Sequence, residues 1–108
     1  MEKSIHNDPL IKKLGEYFDN QPIVKVYLFG SFAKHKQRED SDIDLYVEFD
    51  PNVPIGLEYV KIYLDLKELT GREVDLVTEK SISKYIKSRV EQEKILIYER
   101  IYESVMGW

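Results

Sequence analysis

Cysteine is absent from this chain, which excludes disulfides, thiolate zinc sites and cysteine nucleophiles. Histidine occurs only as His6 and His35, with no second histidine or cysteine at ligand spacing, so both read as surface residues rather than metal ligands. A basic excess is lacking too. Lys and Arg number 16 against 20 Asp and Glu, and the net charge of −4 excludes a protein that binds nucleic acid mainly through its overall charge. No window approaches the roughly 18 apolar residues of a spanning helix. The opening MEKSIHNDP has no apolar stretch behind its charges, so neither membrane insertion nor export is expected and the cytoplasm is the expected compartment. Internal repeats, low-complexity runs and linkers are also missing.

What remains is an ordinary globular balance, 43% hydrophobic and 33% charged. A chain of 108 residues reads as one domain over 1–108, with no room for a separate substrate domain. Asn7, Asp8 and Pro9 signal a helix start, and Leu10, Ile11, Leu14, Tyr17 and Phe18 follow at helical spacing. Residues 23–29 read as a strand with Val24, Val26 and Leu28 on one face and Lys25, Tyr27 and Phe29 on the other. A short helix is expected after Gly30. Residues 43–49 form the clearest strand, Ile43, Leu45, Val47 and Phe49 facing opposite to Asp42, Asp44, Tyr46 and Glu48.

Residues 57–69 read as a helix with an apolar stripe of Leu57, Val60, Tyr63 and Leu64, closed by Gly71. A third strand over 73–78 sets Val74 and Leu76 against Glu73, Asp75 and Val77, and a further helix is expected over 81–90 through Ile82, Tyr85, Ile86 and Val90. Residues 95–98 fit a short edge strand or a helical continuation, and Ile101, Tyr102, Val105 and Met106 fit a last helical turn or a partner-facing patch. The alternation of elements implies an α/β (α+β) fold, a small mixed β-sheet with helices packed on its apolar face.

Within that frame, residues 29–47, FGSFAKHKQREDSDIDLYV, concentrate the chemistry. A Gly30-Ser31 pair at a strand-to-helix turn offers backbone N–H groups and a hydroxyl to an anion. Asp42 and Asp44, one residue apart on a strand, project from one face, and Asp75 falls on the same non-core face of its own strand. If the two strands are neighbours the three carboxylates converge, and their mutual repulsion calls for a divalent cation such as Mg²⁺. Taken singly, a Gly-Ser is a turn, an Asp-x-Asp a cap or solvated edge, and an aspartate in a short strand a solvent-facing residue. Their joint order favours the functional reading.

Gly30-Ser31-x-Ala33, Ser41-Asp42-x-Asp44-Leu45-x-Val47 and Val74-Asp75-Leu76-Val77 resemble the signature of the DNA polymerase beta superfamily of nucleotidyltransferases. The short length is most similar to the minimal nucleotidyltransferases that act as antitoxins paired with helical HEPN-type toxins. The resemblance implies that Gly30 and Ser31, with Lys34 and Ser41, contact the nucleotide. It likewise implies that Asp42 and Asp44 hold two Mg²⁺ ions and that Asp75 completes the catalytic one. AMP would pass from ATP, or another NTP, to a hydroxyl, typically a tyrosine of the toxin. Where the family carries a second glycine after the alanine, this chain has His35, with Lys34, Lys36 and Arg38 as neighbouring positive charges. Two other readings stand beside this one: a non-catalytic antitoxin that acts by occupation, and an enzyme modifying a small hydroxyl compound such as an antibiotic. An oligomer of like or unlike chains is compatible with all three.

Overall fold

A computed structural model describes residues 5–33 and 42–100. After a 3-10 turn, Ile5–Asn7, the elements run α1 (Pro9–Phe18), β1 (Ile23–Phe29), α2 (Gly30–Ala33), β2 (Ile43–Phe49), α3 (Leu57–Thr70), β3 (Val74–Val77), α4 (Lys84–Glu93) and β4 (Ile95–Glu99). The strands form one sheet in the order β3-β2-β1-β4. β1 pairs antiparallel with both β2 and β4, whereas β2 and β3 are parallel. The expected mixed sheet is therefore present, and the segment from residue 95 resolves as an edge strand.

Local signals explain most boundaries. The Asp8 carboxylate accepts the Leu10 N–H at 2.8 Å, with Pro9 in the first turn of α1. Gly71 closes α3 at φ +67°, its N–H donating to Lys67 O. The last helix differs from expectation. Thr78 and Ser81 bond each other in a turn, and Ser83 rather than Ser81 caps α4 by accepting the Ile86 N–H, which moves the helix about one turn along to Lys84–Glu93.

The main core lies on one face of the sheet: Ile11, Leu14 and Phe18 of α1 and Ile62 and Leu66 of α3 pack on Ile23, Val26 and Leu28, on Ile43, Leu45 and Val47, and on Val74 and Leu76. Two expected faces are corrected here. In β1 the pairing with β2 shifts between Ile23 and Lys25, so Ile23 joins Val26 and Leu28 in the core while Val24 is only partly covered. In α3, Leu57, Val60 and Leu64 are 84%, 50% and 55% exposed, and the buried side is Ile62 and Leu66 flanked by Tyr59, Tyr63 and Leu69. Apolar side chains surround α3, so spacing alone does not choose its inner face. Tyr17 of α1 donates to Asp65 of α3 at 2.6 Å and ties the two helices together.

α4 covers the second face. Phe29, Val77 and Val90 form a small cluster there with Tyr46, Ile82 and Ile86. This packing places α4 beside the turn that follows β1. No helix among the described residues is long and apolar enough to cross a membrane.

Candidate active site

The site begins where β1 ends. Gly30 has φ +75°, a conformation that L side chains rarely adopt, and a methyl built on it would lie 2.1 Å from Asp44 Oδ2. Backbone geometry and space thus both demand glycine. The reason for the close approach is register: Phe29 of β1 pairs with Asp44 of β2, which sets the first turn of α2 directly against that carboxylate.

Asp44 in turn pairs with Asp75 across the parallel β2–β3 ladder. Neighbouring strands lie about 4.8 Å apart, so the two carboxylates share one face. Asp44 is half-buried, while Asp75 and Asp42, the latter one residue before β2, are exposed. Burial, followed by the negative charges of Asp75 and Asp42, pushes the Asp44 carboxyl up to about 6; Arg89 opposes this and Glu93 adds to it.

Among the described residues, no three Asp, Glu, His or Cys side chains are gathered into a ready-made metal cage. The fit of a metal therefore rests on the donors. Carboxylates in register, with one held up by burial and then by the charge of its neighbours, are hard oxygen ligands that a cation such as Mg²⁺ would relieve.

The structure brings Gly30, Asp44 and Asp75 together and sets Asp42 at the mouth of β2. Ser31 is the second residue of α2, but its side chain, like Lys34, His35, Lys36, Arg38 and Ser41, lies outside the described residues. Tyr27 and Tyr46 are register partners with ring centroids 6.1 Å apart. Lys94 Nζ lies 4.8 Å from the centre of the Tyr27 ring, and Tyr46 packs into the second cluster, so both rings are engaged in packing.

Two residues escaped the sequence reading. Glu93 Oε1 accepts the Gly30 N–H at 3.3 Å, and Arg89 Nη2 lies 3.6 Å from the same oxygen. Their spacing of four on a helix was the available signal, beyond the point where the helix was expected to stop. A groove of about 1120 Å³ opens elsewhere, at the far end of β2, between residues 47–55 and 78–80. It is not lined by Asp42, Asp44 or Asp75, and the chemistry points to those carboxylates instead.

Residues 12–103 match the family model described as polymerase beta, nucleotidyltransferase. The chain belongs to the polymerase beta nucleotidyltransferase family. A relative of this nucleotidyltransferase in Methanocaldococcus jannaschii, named as a protein adenylyltransferase, is 41% identical over 81 residues, 73% of this chain and 81% of that one. The protein adenylyltransferase MntA of Thermococcus cleftensis is 31% identical over 86 residues, 80% of this chain and 83% of its own. The chain is thus a nucleotidyltransferase enzyme whose relatives are named protein adenylyltransferases.

Two solved structures share the fold. A toxin–antitoxin complex with AMP-PNP superposes with a TM-score of 0.66 at 24% identity, over 87% of this chain and 74% of that one. A tri-AMPylated Shewanella oneidensis HEPN toxin in complex with its MNT antitoxin gives 0.61 at 19% identity, over 84% and 71%.

Proposed function

We propose that this nucleotidyltransferase is an antitoxin that moves AMP from ATP to a tyrosine hydroxyl of a HEPN-type toxin. The observation that carries the reading is the register of Asp44 with Asp75 beside a glycine turn pressed against Asp44. Gly30 and Ser31, with Lys34 and Ser41 on the sequence pattern, receive the triphosphate. The acceptor oxygen attacks the α-phosphorus, the bond to the bridging oxygen of pyrophosphate breaks, and the hydroxyl proton passes to Asp75, the exposed carboxylate on the neighbouring strand. Asp42 and Asp44 would hold two Mg²⁺ ions and Asp75 would complete one of them, supplying charge neutralisation for the triphosphate and acidification of the acceptor.

Exposure of Asp42 and Asp75 supports an acceptor that arrives on another macromolecule. So does the Shewanella oneidensis complex, whose toxin carries AMP. The test is to incubate the chain with α-labelled ATP, Mg²⁺ and a HEPN-type toxin. Label should appear on the toxin, and Asp42→Ala should lower transfer by at least about 100-fold. A complex that neutralises the toxin with no label transferred, and equally well with Asp42→Ala, would establish inhibition by occupation instead.

A further inference from the structure

Glu93 is an odd residue to end a helix. A carboxylate at the last position of α4 faces the negative end of the helix dipole, where acids are disfavoured. Its side chain is nonetheless only 15% exposed. A largely covered carboxylate needs donors, and two are close to Oε1: the Gly30 N–H at 3.3 Å and Arg89 Nη2 at 3.6 Å. Gly30 is separated from Glu93 by 63 positions in the chain. It is also the residue whose left-handed backbone sets the turn after β1 and whose Cα leaves room for Asp44.

We infer that Glu93, held by Arg89, is a positioning residue that fastens the Gly30 turn to α4 and so presets the nucleotide-binding conformation before ATP arrives. Gly30 is the most permissive residue in the chain at this point, and with no Cβ nothing in its own side chain restrains it. Its amide is restrained from outside. Phe29, Val77 and Val90 anchor α4 on the sheet, and the carboxylate carries that anchorage to the turn. The turn that Gly30 sets is thereby held from outside before nucleotide arrives. A turn held in its bound shape binds more tightly because less ordering remains to be done on binding.

The inference rests on the reading of Gly30 and Ser31 as the phosphate turn, and its experiment separates the two. Three variants are compared in the full chain, with folding followed by circular dichroism. Glu93→Gln keeps an acceptor oxygen at the same reach, Glu93→Asp keeps the charge but is one methylene too short, and Glu93→Ala has neither.

Amide exchange of Gly30, measured by NMR without nucleotide, should stay within about threefold of wild type in Glu93→Gln and accelerate about tenfold in Glu93→Asp and Glu93→Ala. With the toxin as acceptor, KM for ATP should rise about tenfold in the same two variants while kcat stays within about twofold, the pattern of lost ground-state preorganisation. Should Glu93→Ala not fold, the order of Glu93→Gln and Glu93→Asp decides.

Glu93→Asp near wild type with Glu93→Gln impaired would make the role one of charge and overturn the inference. Unchanged exchange in all three would overturn it as well. A lowered KM would show Glu93 competing with phosphate and would overturn it too. An Asp44→Asn control reports on the site itself: full activity there would sink the site reading while leaving the exchange result to judge the fastening of the turn.

Discussion

Asp44 carries a conflict between stability and chemistry at the level of one residue. Its carboxyl sits near 6 in the folded protein against 3.8 in the unfolded chain, because burial and two neighbouring aspartates disfavour its charge. The folded state therefore binds the proton more readily between those values, and stability falls as pH rises through that window. With divalent ions removed by EDTA, the wild type should lose about 1–2 kcal/mol between pH 4 and pH 7.5, a figure reduced for the solvent screening of a half-exposed group. Asp44→Asn should flatten that dependence. It should melt above the wild type at pH 7.5 and level with it near pH 4, while transferring no AMP. Thermal denaturation across pH checks the first part and label transfer the second.

At the scale of elements, α3 shows what sequence periodicity can and cannot reach. Its span and its Gly71 terminator were legible, since a left-handed residue closes the helix regardless of packing. Its inward face was not, because Tyr59, Val60, Ile62, Tyr63, Leu64 and Leu66 surround the axis and only contact with β1–β3 selects Ile62 and Leu66. The choice is measurable by urea denaturation. Ile62→Ala should cost about 2–5 kcal/mol, whereas Leu57→Ser, at a position 84% exposed, should change stability by no more than about 0.5 kcal/mol.

Strands fared better. β2 was legible to the residue, as an alternating strand flanked by turn residues must be, and the shared face of Asp44 and Asp75 followed from alternation. The adjacency of their strands did not, because parallel pairing is a tertiary fact. The same holds for Glu93, which meets Gly30 only after α4 crosses the sheet. The short run of Ile95, Leu96, Ile97 and Tyr98 could not by itself distinguish strand from helix, and the open edge of β1 decided it.

For the molecule as a whole, β4 covers the outer side of β1 and takes its place as edge strand. β1 lies between β2 and β4, and Arg100, just beyond β4, donates to Asp50 at 2.7 Å and to Gln21 O at 3.2 Å, clamping the open side of the β1–β2 pair. A chain cut before Ile95 leaves the N–H and C=O row of β1 facing water, an edge that recruits other strands. Such a truncation should form larger assemblies or aggregates at micromolar concentration than the intact chain, seen by light scattering.

The pairing of β1 with β4 also sets an order in time. β1 is made early and pairs on its outer side with a strand far later in the chain, so that side stays open until residues 95–99 have been made. The Gly30 turn waits on the same late segment. A nascent chain can therefore bury most of its main core while the Gly30 amide is still without the Glu93 carboxylate that receives it.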